Sequence, residues 1–295
     1  MKAPSFDYIR PDRLEAAIAF LAEHGDEAKV IAGGQSLIPM LAFRLAAPRF
    51  LVDIGSISEL KGIAIDAGGI RLGALTRWRD IERNEKLQRA QPLLVEAITH
   101  VAHYQIRNRG TVGGSLAQAD PAAEMPGIAV TCEAEIVVVG RDEERTIPAR
   151  DFFVGALTTA LRPDEIIAEV RLPPWRPGRR WAFTEFTRRR GDFALAGIAL
   201  FYDIEDGRAV NVHVGAIGVA DKPVRLPAVE TVINGQPVTE SVVRSAGAAA
   251  SASVNPADDI HAPGDYRRAL LGVLTERALA SAAGLALKEN PQQNI

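Results

Sequence analysis

The fold is decided by the sequence QIRNRGTVGGSLAQADPAAEMP, which occupies residues 105–126. The wider stretch Tyr104–Pro121 has no helical or strand period and is rich in glycine, asparagine and arginine, so it predicts a long loop. A loop of that length inside a compact domain is usually functional or disordered. At its centre, Thr111-Val112-Gly113-Gly114-Ser115 pairs two glycines, which let backbone N–H groups converge on an oxyanion without an intervening Cβ.

A second glycine pair lies near the N-terminus, in Ala32-Gly33-Gly34-Gln35-Ser36, between a predicted strand at Lys29–Ala32 and a helix that begins at Leu37. The start of that helix adds a favourable dipole for an anion, and two such loops could clamp the two sides of a pyrophosphate. Each pair by itself is explained more simply as a tight turn. The chain has neither a P-loop nor a Gly-x-Gly-x-x-Gly sequence, so a Rossmann-type nucleotide site is not expected.

Together with its neighbours, the segment 105–126 resembles the flavin subunit of the molybdenum hydroxylases. These are the enzymes related to carbon monoxide dehydrogenase, xanthine dehydrogenase and the bacterial N-heterocycle hydroxylases. Ala32–Leu37 matches the first phosphate loop of this family, and Arg188–Ala196, RRRGDFALA, matches its third landmark. The spacing of these segments, the N-terminal Phe6–Pro11 and the total length fit the medium subunit, so the resemblance covers nearly the whole chain.

The resemblance implies an α+β fold, with a two-part FAD-binding domain of the vanillyl-alcohol oxidase and p-cresol methylhydroxylase type followed by a small α+β C-terminal domain. It puts the FAD pyrophosphate and the adjoining ribityl or ribose oxygens on the two glycine loops. The implied FAD-binding residues are Ala32, Gly33, Gly34, Gln35, Ser36, Leu37, Thr111, Val112, Gly113, Gly114, Ser115, Asp120, Glu124, Leu161 and Phe193.

Three of these residues have more specific implied roles. Glu124 would accept hydrogen bonds from FAD hydroxyls, with Asp120 as a second candidate. Phe193 would lie against the isoalloxazine, without the hydroxyl of the tyrosine that carbon monoxide dehydrogenases often have there. Apart from the resemblance, Glu124 is equally well explained as an acid favoured by a helix N-terminus, and Phe193 as a core aromatic.

The chain has 295 residues, which suggests two domains. Pro173–Gly178, with three prolines and a glycine, is the predicted linker. We therefore expect an FAD-binding domain at 1–176, with subdomains at about 1–58 and 59–176, and an α+β C-terminal domain at 177–295. Other predicted elements are a hairpin at Ile63–Leu75, a helix capped by Thr76 that runs to Asn84, and helices at about Thr239–Ser253 and Asp265–Lys288.

Composition excludes several classes of protein. The net charge of −3 gives no global attraction to nucleic acid. The single cysteine, Cys132, cannot hold an iron–sulfur cluster or a disulfide framework and is interpreted as a buried thiol. No apolar run follows Lys2 and no stretch is long and apolar enough for a membrane span, so a cytoplasmic protein without an integral membrane segment is expected.

Two histidines were considered as metal ligands. His100 and His103 stand three apart on a predicted helix, a spacing that can bind a metal ion. No third ligand is apparent in the sequence, so solvated or core histidines explain them better, and no metal site is predicted.

In the enzymes that the sequence resembles, a large subunit with a molybdopterin cofactor hydroxylates the substrate and a small subunit with two [2Fe–2S] clusters relays the electrons. The FAD of the medium subunit then passes them to an external acceptor. The resemblance thus implies an oxidoreductase subunit without catalytic residues of its own, in a complex that forms a dimer of heterotrimers. Gln35 and the 111–115 loop favour an N-heterocycle over carbon monoxide as the substrate of that complex.

Two other functions stay open. A self-contained flavin oxidoreductase of the same fold would need an active-site acid and a substrate pocket over the flavin, and neither can be located in the sequence. An interaction protein that has lost FAD is disfavoured by the intact glycine loops and Glu124. Arg171–Arg190 carries seven arginines against Glu185 alone, which indicates a solvated rim, a surface for the phosphate of the cofactor or a docking surface for an acidic partner, and partner docking is the preferred interpretation.

Overall fold

The computed structural model describes residues 2–286, whose strands form four sheets. The N-terminal part is a three-stranded parallel sheet in which β3 lies between β1 and β2. Helix α1 buries Ala17, Ile18 and Leu21, which recur at the helical period, in the core of this part. The bounds are β1 Asp7–Ile9, α1 Leu14–His24, β2 Ala28–Ile31, α2 Leu37–Ala42 and β3 Phe50–Asp53, with 3₁₀ turns at Gly25–Glu27 and Ser58–Leu60.

The middle part is built on a five-stranded antiparallel sheet of order β4-β5-β10-β6-β7, beside a two-stranded hairpin of β8 and β9. Its strands are β4 Ile63–Asp66, β5 Gly69–Gly73, β6 Glu135–Val139, β7 Glu144–Pro148, β8 Phe153–Gly155, β9 Thr158–Thr159 and β10 Ile166–Leu172. Its helices are α3 Trp78–Glu82, α4 Glu85–Ala90, α5 Pro92–His100, α6 Tyr104–Arg107, α7 Val112–Gln118, α8 Glu124–Thr131 and α9 Ala149–Phe152. Every residue of α8 is buried, so this helix is the centre of the middle part.

The C-terminal part is a four-stranded antiparallel sheet of order β11-β12-β13-β14 with three helices. Its elements are β11 Arg180–Phe186, β12 Ala196–Glu205, β13 Arg208–Ile217, β14 Val224–Arg225, α10 Pro227–Ile233, α11 Glu240–Ala252 and α12 Gly264–Ala283. Helix α12 ends where Gly284 adopts a φ of +69°, so the predicted helix to Lys288 ends earlier than expected. Leu287 and Lys288 lie outside the described residues.

Strand β12 joins the middle and C-terminal parts because both of its faces are buried. Successive side chains of a strand point to opposite faces. Ile198 and Leu200 lie in the core beneath the C-terminal helices, whereas Ala199 and Phe201 lie in the core of the middle part. The α+β class that the sequence predicts is confirmed, and the two parts share an apolar interface rather than a solvated gap.

The predicted long loop at Tyr104–Pro121 is wrong. It contains two short helices, α6 and α7, instead of a continuous loop. The paired glycines and asparagine lower helix propensity, but a threonine cap at Thr111 and packing of Gly113 against Ala74 stabilise α7. Local propensity is a weak signal that such tertiary contacts override.

Two smaller predictions around the hairpin have opposite outcomes. The hairpin at Ile63–Leu75 is confirmed as β4 and β5. Thr76 does not cap the next helix, because its Oγ1 donates to the Gly62 carbonyl at 2.9 Å and Arg77 occupies the cap position.

Across residues 2–286, no helix has the length and apolar character needed to cross a membrane.

Candidate functional site

The first glycine loop follows β2 and leads into α2. Gly34 has a φ of +73°, in the left-handed region that glycine adopts without strain. A Cβ on Gly33 would lie 2.2 Å from the Arg109 carbonyl oxygen, so only glycine fits between the two segments. Within residues 2–286, the backbone N–H groups of Gly34, Gln35 and Ser36 have no acceptor. The loop therefore presents three unused donors at one turn of the chain.

The second glycine loop is arranged differently from the sequence prediction. The Gly114 N–H donates to Thr111 Oγ1 at 3.1 Å, and the Gly113 N–H donates to the Ala74 carbonyl at 2.8 Å. The N–H groups of Val112 and Ser115 also have carbonyl acceptors. The expectation that these amides converge on an oxyanion is therefore wrong, because they already donate to Thr111 and to the carbonyls of Ala74 and Thr76. What this loop offers is the hydroxyls of Thr111 and Ser115.

The two loops lie against each other, as the sequence predicts for a joint site. An ideal Cβ on Gly114 would come within 3.9 Å of the Ala32 Cβ, and the Arg109 Nε lies 3.5 Å from the Gly33 carbonyl oxygen. The free donors of the first loop and the hydroxyls of the second thus belong to one region of the surface.

A cavity of about 440 Å³ opens where the loops meet, lined by Ala32, Gly33, Arg109 and Thr111 from the loops. Three cations also line it, Lys61 just before the hairpin, Arg77 at the cap of α3 and Arg79 in α3, together with Asp80 and neutral residues such as Gly62, Ile63 and Leu75. Among the described residues, Lys61, Arg77 and Arg109 have no carboxylate within 4.0 Å. These cations could not be predicted as one wall from the sequence, because they are scattered along the chain without a motif.

A second cavity of about 580 Å³ lies on the other side of Gly33 and Gly34. It is lined by apolar residues such as Ile31, Ile38 and Ile106, together with Tyr8 and Asp53, which are joined by a hydrogen bond from the tyrosine hydroxyl to the carboxylate. The first glycine loop therefore separates a cationic cavity from a largely apolar one.

Glu124 begins α8 and is buried, with 7 % of its surface exposed. Burial and the nearby charge of Glu185 raise the pKa of Glu124 to about 8, so its carboxyl group holds a proton at neutral pH. Burial also raises the pKa of Asp120, whose Oδ1 accepts a hydrogen bond from the Ala122 N–H at 2.9 Å. The charge of Asp120 also acts on Glu124, so these two acids lie near each other.

Glu185 completes an acidic cluster that the sequence analysis did not recognise. It lies on β11 with only 5 % of its side chain exposed, and its Oε1 is 3.5 Å from His100 Nδ1. Its Oε2 is buried and has no hydrogen-bond partner among the described residues. The pairing with Glu185, together with the charge of Glu96, raises the pKa of His100 despite its partial burial. The one available signal was that Glu185 is the single acid in an arginine-rich segment.

His100 and His103 do not form a metal-binding pair on one helix. Helix α5 ends at His100, Ala102 adopts a φ of +43°, and His103 caps the next helix, α6. The described residues contain no group of three or more histidine, cysteine, aspartate or glutamate side chains arranged for a metal ion. The preference for ordinary histidines at these positions agrees with this geometry.

Phe193 and Leu161 lie in two different surface segments. Phe193 is 61 % exposed in the turn between β11 and β12, so it is not a core aromatic. Leu161 is partly buried and packs against the core of the middle part. The segment before it is tied to the acidic region, since the Leu157 N–H donates to the Ala119 carbonyl at 3.1 Å.

Helix α12 anchors the acidic region to the C-terminal part. Arg267 is buried and donates to the carbonyls of Leu195 and Gly218 at 2.7 and 3.0 Å. The Gly218 N–H in turn donates to the Pro121 carbonyl at 2.9 Å. This chain of hydrogen bonds holds the segment between Asp120 and Glu124 against the C-terminal sheet.

Two family models match the chain. The model described as the FAD binding domain in molybdopterin dehydrogenase matches residues 4–175, and the model of the CO dehydrogenase flavoprotein C-terminal domain matches residues 181–282. The two matches meet near the predicted linker at Pro173–Gly178.

Curated relatives match over almost their full length. The chain is 37% identical to the 6-hydroxypseudooxynicotine dehydrogenase complex subunit alpha of Paenarthrobacter nicotinovorans, over 96% of each chain. It is also 37% identical to the caffeine dehydrogenase subunit beta of Pseudomonas sp. (strain CBB1), again over 96% of each. Among solved structures, a chain of carbon monoxide dehydrogenase from Hydrogenophaga pseudoflava aligns with a TM-score of 0.94 and 36% identity, over 96% of this chain and 99% of that one.

Proposed function

The chain belongs to the family of FAD-binding subunits of molybdopterin dehydrogenases, and from this premise we propose that it is the electron-transfer flavoprotein of a molybdenum hydroxylase complex. It is an oxidoreductase subunit with an FAD-binding domain. The observation that carries the proposal is the meeting of the two glycine loops at a cationic cavity, with three unused backbone donors in the first loop.

The residues around the first loop fit the anionic end of FAD. The N–H groups of Gly34, Gln35 and Ser36 suit the pyrophosphate, and Arg109 and Lys61 supply positive charge in the adjoining cavity. Ala32, Gly33 and Leu37 shape this wall, and the clash that a Cβ on Gly33 would produce explains why the loop needs glycine.

The second loop and the acidic region fit the polyol part of FAD. Thr111 and Ser115 offer hydroxyls, while Val112, Gly113 and Gly114 form the first turn of α7 that holds them in place. Asp120 and Glu124 are the other residues that we propose to contact the polyol. Protonated at neutral pH, Glu124 can both donate to and accept from an FAD hydroxyl.

Phe193 and Leu161 are proposed to contact the flavin ring. The exposed Phe193 offers an aromatic surface for stacking, and Leu161 offers an apolar one. Bound FAD supplies the redox chemistry, and the protein supplies binding and electrostatics. No side chain of this chain is proposed as a catalytic acid or base.

Electrons are proposed to reach this subunit from an iron–sulfur partner. Cys132 is the single cysteine, it is buried, and one thiolate cannot ligate a cluster. As the family resemblance implies, we assign two [2Fe–2S] clusters to a small subunit and the molybdopterin cofactor to a large one, in a dimer of heterotrimers. The two curated relatives at 37% identity are subunits of a 6-hydroxypseudooxynicotine dehydrogenase complex and of caffeine dehydrogenase, which supports an N-heterocycle as the substrate of the complex, and carbon monoxide dehydrogenase chains match at 35% and 36%.

Flavin analysis of the purified chain tests the cofactor proposal. We expect one FAD per chain, with the yellow cofactor released into the supernatant by acid precipitation. Flavin retained in the pellet would contradict non-covalent binding, and a colourless protein that takes up no added FAD would contradict the function.

Purification from the native host tests the subunit proposal. We expect the chain to bring iron, acid-labile sulfide and molybdenum with it, and N-heterocycles rather than carbon monoxide to reduce the flavin of that complex. If the isolated chain oxidised an organic substrate as fast as whole cells do, the self-contained flavin oxidoreductase would replace the subunit.

A further inference from the structure

The segment 160–165, which carries Leu161, connects β9 to β10 and belongs to neither a helix nor a strand. At its start, the Ala160 N–H donates to the Phe152 carbonyl at 2.9 Å, which ties the segment to the hairpin of β8 and β9. The Leu161 N–H that follows donates to Thr159 Oγ1 at 3.3 Å, a long hydrogen bond. The conformation of the backbone at Leu161 therefore depends on contacts from outside the hairpin.

A buried ion pair supplies these contacts. Arg145 on β7 donates from Nε and Nη2 to the two carboxylate oxygens of Glu165, at 2.6 and 2.7 Å. Glu165 directly precedes β10, and 1 % of its side chain is exposed. Two parallel hydrogen bonds between a guanidinium and a carboxylate fix the orientation of both groups. The pair is therefore a rigid link between β7 and the end of the segment.

The ion pair also binds the peptide groups on both sides of Leu161. Arg145 Nη2 donates to the Ala160 carbonyl at 2.6 Å, and Glu165 Oε2 accepts a hydrogen bond from the Arg162 N–H at 2.7 Å. That carbonyl belongs to the peptide group before Leu161, and that N–H belongs to the peptide group after it. Because φ and ψ are the rotations between these two planar groups, the ion pair fixes the backbone conformation of Leu161.

The carboxylate of Glu165 stays ionised although it is buried. Burial by itself would raise its pKa, but hydrogen bonds from the Arg145 side chain and the Arg162 N–H hold the pKa below its ordinary value of 4.5. The hydrogen bonds to Glu165 in turn raise the pKa of Arg145. Both partners are therefore charged at neutral pH, and removing the arginine would leave a buried carboxylate with an incomplete set of donors.

We propose that Arg145 and Glu165 are positioning residues for FAD binding, which hold Leu161 in the conformation that contacts the flavin ring. This rests on the proposed function, in which Leu161 offers an apolar surface to that ring. Apolar contact weakens steeply when a gap opens between the two surfaces. Fixing the backbone of Leu161 before FAD binds also lowers the conformational entropy that binding costs. The two charged residues act through this backbone and are not assigned a contact with FAD.

A double-mutant cycle on the full chain tests the positioning role. FAD is titrated into the FAD-free wild type, Arg145→Met, Leu161→Ala and the double variant, and the change in flavin fluorescence gives each dissociation constant. We expect each single variant to bind FAD about tenfold more weakly than the wild type. The double variant should bind like Leu161→Ala, because Arg145 acts through a side chain that this variant lacks. If Arg145→Met does not fold, Arg145→Lys, which keeps the charge, takes its place in the cycle.

Arg225→Met is the matched control for the loss of an ion pair. Arg225 on β14 has its Nε 2.6 Å from Glu230, the same distance as in the pair of Arg145 and Glu165, but it lies in the C-terminal part. Its loss should lower the free energy of unfolding and leave the FAD dissociation constant unchanged. Arg145→Met should change both quantities and should also shift the visible absorption band of the bound flavin.

Three results would overturn the positioning role. Additive losses in the double variant would mean that Arg145 affects FAD binding independently of Leu161. Wild-type FAD affinity in Arg145→Met, with a lower free energy of unfolding, would make the ion pair purely structural. Wild-type FAD affinity in Leu161→Ala would remove the flavin contact through which the pair acts. A wild-type chain that takes up no FAD would instead contradict the proposed function itself.

Discussion

The carboxylate of Glu185 lies 3.5 Å from the imidazole of His100, and its other oxygen is buried without a hydrogen-bond partner among the described residues. A buried carboxylate acts on its neighbours over longer distances than an exposed one, because little water screens it. It therefore raises the pKa of His100 by pairing with it, and it adds to the effect of burial in raising the pKa of Glu124. Two groups on different helices are thus tied to one residue on β11.

Glu124→Gln should change how the stability of the FAD-free protein depends on pH. The folded pKa of about 8 exceeds the ordinary value of 4.5, so the folded state binds the extra proton between these pH values. The free energy of unfolding should therefore fall by about 2–4 kcal/mol as the pH rises from 4.5 toward 8. Urea unfolding at several pH values should show this loss in the wild type and a flatter profile in the variant.

The matched control for this measurement is Glu23→Gln, which changes an exposed glutamate on α1. It should keep the wild-type pH profile. An unchanged profile in Glu124→Gln would mean that Glu124 is ionised in the folded protein at neutral pH.

Glu185→Gln should lower the pKa of His100. Two carboxylates approach this imidazole at almost equal distances, 3.5 Å from Glu185 and 3.6 Å from Glu96, but Glu185 is buried and Glu96 is 46 % exposed. The buried charge has the larger effect because water screens it less. NMR titration of the His100 ring protons should show a clear downward shift in Glu185→Gln and a smaller one in Glu96→Gln. Equal shifts in the two variants would contradict this assignment.

Gly33→Ala should abolish FAD retention. The new Cβ would lie 2.2 Å from the Arg109 carbonyl oxygen, so the two glycine loops would have to separate at the proposed phosphate site. Gly155→Ala is the control, because a Cβ there has its nearest neighbour at 3.8 Å and the backbone needs no left-handed conformation. Flavin absorbance per chain should be lost in the first variant and kept in the second. If both variants kept a full flavin content, the close contact between the two glycine loops would not be needed for FAD binding.

The two glycine loops could be located in the sequence from their paired glycines, and in the first loop both positions require glycine. Gly34 adopts a positive φ, and Gly33 leaves no room for a side chain. Their meeting could be predicted only through the family resemblance, since nothing local connects residue 33 with residue 109. The hairpin at Ile63–Leu75 and the two long C-terminal helices followed from hydrophobic period and turn residues, which act over short distances.

The missed features depend on contacts between distant segments. Glu185 and His100 come from a strand and a helix 85 residues apart, and the cationic cavity wall draws on residues of the hairpin and α3. Free N–H groups are expected in both loops but occur in the first, because those of the second already donate to Thr111 or to the segment Ala74–Thr76. A sequence shows which residues can donate a hydrogen bond, and the fold decides which donors are already in use.

Cys132 should be unreactive in the folded protein. Burial raises the pKa of its thiol to about 12, and the side chain is enclosed at the end of α8. Thiolate is the reactive form, so a thiol reagent such as Ellman's reagent should label the chain only after unfolding. One thiol per chain in urea and none in native buffer is the expected result, and fast native labelling would contradict the buried position.

Arg179→Ala should destabilise the C-terminal part without weakening the complex. The guanidinium makes two hydrogen bonds to Asp203, at 2.9 and 3.0 Å, and lies over the rings of Trp175 and Phe201. Arg179 has 7 % of its side chain exposed, and its removal leaves the buried Asp203 carboxylate with the Asn211 amide at 2.9 Å and Arg176 at 3.6 Å, at a cost of about 1.5–3 kcal/mol. Arg180→Ala, next in the sequence but exposed and without an ion-pair partner among the described residues, is the control and should be nearly neutral.

The pH dependence of this difference identifies its origin. Burial by itself would raise the pKa of Asp203, but hydrogen bonds from Arg179 and Asn211 hold it below its ordinary value of 3.8. The stabilisation from this pair is therefore present above pH 3.8 and is lost as the pH falls through the lowered pKa. Urea unfolding should show that the difference in free energy of unfolding between wild type and Arg179→Ala becomes smaller at low pH. A difference that is constant with pH would assign the whole effect to lost packing against the rings.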